Sequence, residues 1–218
     1  MGAVKLSGIT PRNPKQKLFV DILKRSDRPI VVGYGQAGCG KTVLSAHVGC
    51  TKLQTGEVNK IIITRPTVCV GGDDLGYLPG TLEQKLAPWM RPVYDALLLN
   101  YSPTKIKQMM DNGVVEVASL AHMRGRTFND TWVICDEAQN TTIDQMLMVL
   151  TRIGKGSKLV VTGDPLQHDR SIAVNGLSDL LRRYHNHPQK SDMVEIVEFT
   201  SSDVERHPVI PFILELYS

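Results

Sequence analysis

The sequence predicts an α/β fold: a mainly parallel sheet covered by helices on both faces. Two observations carry this. Five short, largely apolar runs alternate with segments of helical spacing, the pattern of strands buried on both sides. Glycines, acids or other polar groups follow several of those runs, where parallel sheets place their ligands.

Taken in order, Pro29–Tyr34 (PIVVGY) reads as a buried strand that enters a glycine-rich turn, and Lys41–Gln54 as the helix that follows. Lys60–Thr64 (KIIIT) is a second buried strand. Pro66–Gly80 reads as a Gly- and Pro-rich loop, Thr81–Leu99 as a Pro-interrupted helix, and Pro103–Met110 as a short helix. Val114–Ser119, Thr131–Cys135 and Lys158–Thr162 supply three more strands. Helical spacing covers Ile143–Ile153 and Asn175–Tyr184. Met193–Phe199 alternates in polarity, as an edge strand would, and Val204–Tyr217 closes the chain as a helix.

Length and composition fit this reading. A chain of 218 residues, 42% hydrophobic and 22% charged, suits a single α/β domain over residues 1–218. No apolar run approaches the roughly 20 residues that span a bilayer, and the first residues lack a secretory apolar segment. The four cysteines form no C-x-x-C pair, which argues against zinc. Cys39 and Cys135 fall in segments unsuited to a structural disulfide, so a reducing, cytoplasmic setting is expected, or a host cytoplasm for a phage protein. Net charge is only +3, but it is unevenly spread. Residues 12–28 carry six bases and residues 192–217 six acids. Two solvated faces, or a contact between subunits, would each account for that.

Gly35-Gln36-Ala37-Gly38-Cys39-Gly40-Lys41-Thr42 matches G-x-x-x-x-G-K-[ST] between a strand and a helix. By background frequencies such a match arises by chance in roughly one chain in a hundred of this length. Glycines let backbone N–H groups turn inward around phosphate oxygens, and the helix N-terminus adds partial positive charge. Lys41 is the group to reach the β- and γ-phosphates of ATP, and Thr42 the hydroxyl to hold Mg²⁺.

A strand ending in Asp136-Glu137-Ala138-Gln139 supplies the partner acids. Asp136 would hold Mg²⁺, and Glu137 would orient and deprotonate water. A third strand tip, Gly163-Asp164-Pro165-Leu166-Gln167, offers Gln167, whose amide can sense both γ-phosphate and water. Arg65, Arg124, Arg126 and Arg206 are candidate phosphate or transition-state ligands. Gln16, 19 residues before the loop, could read an adenine edge. Aromatic platforms for bases are few: Tyr77, Trp89, Tyr94 and Phe128 each have a packing role as the plainer alternative. His185-x-His187 reads as a polar loop.

In order, the loop, Ile63-Thr64-Arg65-Pro66, Asp136–Gln139 and Gly163-Asp164-x-x-Gln167 resemble motifs of superfamily 1 helicases. With Leu75–Gly80, Met123–Phe128, Asp136–Thr142, Leu150–Gly154 and Arg206–Val209, the chain more specifically resembles a PhoH-like protein. The likeness runs from about residue 9 to 217. It implies a three-layer RecA-like P-loop core, ATPase activity with ATP and Mg²⁺, and association with phosphate starvation and RNA. It also implies a homo-oligomeric, hexameric ring. Gln16 then matches the adenine-reading glutamine, and Arg206 a γ-phosphate arginine. Cys39 departs from the small residue or Thr usual at its position.

Three functions are therefore weighed. The first is an ATPase in a ring that remodels RNA or single-stranded DNA, with part of each site supplied by the next subunit. The second is a nucleotide-gated interaction protein with no nucleic-acid partner. The third is a nucleoside kinase, disfavoured because type II thymidine kinases carry paired zinc cysteines that this sequence lacks.

Overall fold

In the computed structural model, residues 9–66, 91–167, 174–205 and 209 are described. Six strands form one sheet: β1 (Ile30–Gly35), β2 (Lys60–Thr64), β3 (Val115–Ala118), β4 (Thr131–Cys135), β5 (Lys158–Gly163) and β6 (Val194–Phe199). Their order is β3-β2-β4-β5-β1-β6, and every pairing is parallel. The helices are α1 (Pro14–Lys24), α2 (Lys41–Gln54), α3 (Arg91–Leu98), α4 (Pro103–Asp111), α5 (Leu120–Met123), α6 (Ile143–Leu150) and α7 (Gly176–Asn186).

Strand alternation sorts the side chains into two cores. Val31, Ile61, Ile63, Ile134 and Val160 face one way, against Phe19 and Leu23 of α1, Leu44 and Val48 of α2, Leu97 of α3 and Ile106 of α4. Val32, Ile62, Val133, Cys135, Leu159 and Val161 face the other way, against Met123 of α5, Met146 and Val149 of α6, and Leu177 of α7. The result is the three-layer α/β core expected, a parallel sheet with helices on both faces. Because all six strands run parallel, their C-terminal ends open on one side. Strand β5 separates β1, which feeds the phosphate loop, from β4, which carries the acids.

The differences from expectation are local. Helix α1 was not anticipated. Its start is nonetheless written in the sequence: the Asn13 side chain accepts from the Gln16 N–H, and Pro14 takes the first helical position. Helix α6 ends at Leu150 rather than Ile153 because Ile153 leaves to form a parallel bridge with Phe128. The expected loop before Gly80, the first part of the Thr81–Leu99 helix and nearly all of the Val204–Tyr217 helix lie outside the described residues. The two oppositely charged segments meet within the chain, since β6 pairs with β1, and Arg28 Nε lies 3.3 Å from Glu195.

At the β3 edge, Glu116 receives two hydrogen bonds from Arg126, of 2.5 and 2.9 Å, and pairs with Lys60 at 2.6 Å. The Arg126 hydrogen bonds hold its carboxyl down to about 2, from an ordinary value of 4.5. A lowered folded-state value stabilises the fold above the ordinary value, and that stabilisation is lost as pH falls toward 2. The pair is only partly buried and solvent still screens it, so Glu116→Gln should cost only about 0.5–1 kcal/mol at pH 7. Urea midpoints of the two proteins should converge between about pH 4.5 and pH 2. A gap that persists at the acid end would show that the carboxylate is not its source.

Candidate nucleotide and metal site

The phosphate loop leaves β1 at Gly35, whose φ of 129° lies in glycine's territory. A Cβ there would sit 1.9 Å from the Phe199 carbonyl oxygen of β6, so any other residue would force the edge strand away. Gly40 closes the loop at φ 80° and N-caps α2. Lys41 is buried, and its ammonium donates to the carbonyls of Gly35 and Gln36, at 2.7 Å each. Burial pushes the ammonium below the ordinary lysine value.

Register brings the candidate metal ligands together. Ile134 pairs with Val160 and Cys135 with Val161, so the next residues, Asp136 and Thr162, sit side by side. Alternation turns both toward the α2 layer, where α2 begins with Lys41-Thr42. Asp136 Oδ1 accepts from the Thr42 hydroxyl at 2.8 Å and from the Thr162 hydroxyl at 2.7 Å. The Asp136 N–H donates to the Thr64 carbonyl at 2.9 Å, tying the tip of β2 to that of β4. A hydroxyl and a carboxylate at the phosphate loop are the hard oxygen donors that Mg²⁺ takes alongside phosphate and water. The residues present therefore fit the ion.

Glu137 follows in the left-handed region, at φ 52°. That is uncommon for a residue with a side chain, and such strain clusters at functional sites. Its carboxylate is held on both oxygens. Arg65 lies 3.1 Å from Oε1, and Gln139 Nε2 donates to Oε2 at 2.5 Å. The other end of the Gln139 amide accepts from the Asp164 N–H at 3.1 Å, which links Glu137 to the 163–167 turn. The Asp164 carboxylate accepts from the Leu166 N–H within that turn.

Loop, acids and turn line one cleft of about 330 Å³, which includes Lys41, Thr42, Asp136, Glu137, Asp164 and Gln167. Among the described residues no arginine lines it. Arg126 is engaged with Glu116, Arg124 faces a groove beside α6, and Arg206 lies outside the described residues. Tyr94 packs on the core and Phe128 is buried within it, while Tyr77 and Trp89 lie outside the described residues. His185 and His187 bond to separate backbone carbonyls.

Gln16 is almost fully buried and touches the loop itself. Its Nε2 donates to the Cys39 carbonyl at 3.1 Å, and its Oε1 accepts from the Arg12 N–H at 2.8 Å. The Cys39 side chain is buried beside the Thr200 carbonyl, 3.9 Å away. The thiols of Cys50 and Cys135 are pushed up to about 12 by burial, which leaves them unreactive. Sequence reasoning missed Thr162. The run Val-Val-Thr reads as strand, and only the β4–β5 register shows where the hydroxyl goes.

The model of the family described as PhoH-like protein matches residues 8–218. The chain belongs to that family. It is 46% identical to the PhoH-like protein of Mycobacterium tuberculosis (strain ATCC 25618 / H37Rv) over 96% of this chain and 58% of that one. Identity to the PhoH-like protein of Bacillus subtilis (strain 168) is 43%, over 93% of this chain and 61% of that one. For Protein PhoH of Escherichia coli (strain K12) it is 40%, over 97% and 59%. The chain thus spans about three-fifths of the length of these relatives. Among solved structures, the Pif1 helicase from Candida albicans aligns with a TM-score of 0.41 at 13% identity, covering 95% of this chain and 44% of that one. No helix among the described residues is long and apolar enough to cross a membrane.

Gln16 braces the loop's backbone through one bond at each end of its amide. Gln16→Ala removes one donor from a buried carbonyl, worth about 1–1.5 kcal/mol. ATP and GTP affinities, measured by equilibrium titration, should both fall by a similar factor of roughly ten. A loss confined to ATP would instead assign Gln16 to the adenine edge.

Proposed function

We propose that the chain binds ATP with Mg²⁺ and hydrolyses it, within a homo-oligomeric ring that acts on RNA or single-stranded DNA. The observation that carries the reading is the convergence of the phosphate loop, the Thr42–Asp136 hydrogen bond and Glu137 on one cleft. Lys41 would exchange its two carbonyl partners for the β- and γ-phosphate oxygens, a charge-assisted replacement. Mg²⁺ held by Thr42 and Asp136 would neutralise charge on those oxygens.

Glu137 would accept a proton from water as the water oxygen bonds to the γ-phosphorus. The bond from that phosphorus to the bridging oxygen breaks, and its electron pair leaves with ADP. Arg65 and Gln139 each take one lone pair of the Glu137 carboxylate, and a lone pair left on either oxygen would accept the water's proton. Gln167, which lines the cleft, would orient the water. The cleft has no described arginine, and an arginine finger contributes ~10³–10⁵ in rate. A neighbouring subunit that completes the site supplies it on this reading. Arg206, in the family's carboxyl-terminal motif, is the candidate from the sequence.

Glu137→Gln should bind ATP as the parent does but lose 10²–10⁴-fold in hydrolysis, by phosphate release. Undiminished turnover would remove Glu137 from its role. The parent's rate per subunit should rise with protein concentration and with added RNA or single-stranded DNA at low salt, where phosphate contacts are strongest. If neither nucleic acid binds or stimulates there, the nucleotide-gated interaction protein is the reading that stands.

A further inference from the structure

We infer that Thr162 is a positioning residue for the metal, and that its hydroxyl sets how tightly the site takes Mg²⁺. The inference rests on the ATP–Mg²⁺ reading above. Thr162 is the last residue but one of a fully buried strand and has no exposed surface. A hydroxyl in such a place needs a partner. It finds one in Asp136 Oδ1, at 2.7 Å.

That oxygen also accepts from Thr42 at 2.8 Å. Two donors on one carboxylate oxygen fix the rotation of the group about its Cβ–Cγ bond. The donors come from different elements, one from the start of α2 and one from the tip of β5, so the carboxylate is braced from two sides. When Thr42 turns a lone pair to a metal, the Thr162 bond keeps the carboxylate in place. The backbone of Thr162 is itself held in place, because β5 lies between β1 and β4 and pairs Thr162 with Gly33.

A small cation with strict octahedral geometry depends on such bracing more than a larger, more tolerant one. Partners of ligating carboxylates typically contribute 10–100-fold to metal affinity. Thr162→Val keeps the shape and removes the hydroxyl, whereas Thr162→Ser keeps the hydroxyl.

The test is equilibrium titration of a fluorescent ATP analogue with the parent protein and both variants, in EDTA and across series of Mg²⁺ and Ca²⁺. All three proteins should bind the analogue equally in EDTA, within about twofold. Thr162→Val should need at least tenfold more Mg²⁺ for half of the metal-dependent gain. Its shift with Ca²⁺ should be smaller, and Thr162→Ser should stay near the parent. Equal Mg²⁺ requirements in all three would overturn the inference and leave the ATP reading standing. Loss of affinity by Thr162→Val in EDTA would also overturn it, since the residue would then support the fold or the loop. A parent protein that binds no analogue, or gains nothing from Mg²⁺, would sink the ATP reading itself.

Discussion

Everything at the candidate site depends on where Asp136 is held. A carboxylate at a strand tip is free to rotate, and a metal ligand that rotates binds poorly. Here the hydroxyls of Thr42 and Thr162 converge on one of its oxygens, while its backbone N–H is tied to the tip of β2. Three parallel strands and the first turn of α2 thus meet at one side chain. The parallel sheet makes this possible, because it sends β2, β4 and β5 out on the same side and in register.

A second set of contacts braces the phosphate loop from the opposite flank. Phe19 of α1 packs edge-on against Phe199 of β6, with ring centroids 5.4 Å apart, beneath the start of the loop. Gln16 bonds the Cys39 carbonyl, and the Glu205 N–H donates to the Gly38 carbonyl at 3.2 Å. Asn13, which caps α1, also donates to the Asp203 carbonyl at 3.2 Å. Segments far apart in sequence therefore close on the loop together. The carbonyls of Cys39 and Gly38 are held in this way by α1 and by the stretch after β6, while those of Gly35 and Gln36 accept from Lys41.

How much of this was legible depended on whether a feature was local. The runs IIIT, TWVIC and KLVV declare buried strands because parallel strands must be apolar on both faces. The loop from Gly35 to Thr42 declares itself because its chemistry lies in consecutive residues. Asp136 and Glu137 followed from their place after a strand. Helix α1 escaped notice because its bases drew attention to charge, while its apolar residues Phe19, Ile22 and Leu23 carried the packing signal. Thr162 and the Arg65–Glu137–Gln139 cluster could not be found that way. Their partners are set by strand order and by the left-handed backbone at Glu137, neither of which a linear pattern encodes.

The cluster around Glu137 gives the site a further property. Arg65 stands at the end of β2, Gln139 reaches the 163–167 turn, and both hold the same carboxylate. Each oxygen has a second lone pair besides the one that Arg65 or Gln139 occupies, so the two contacts fix the carboxylate's orientation and leave it able to accept a further partner. Whatever draws Arg65 or the turn aside removes one of the two contacts that fix the carboxylate's orientation. An anionic strand at the tip of β2 would do the first; γ-phosphate, contacting Gln167 in the turn, would do the second. On the ATP reading, the aim of Glu137 would thus depend on ligands at two places around the cleft, with its αL backbone setting the direction from which the side chain starts.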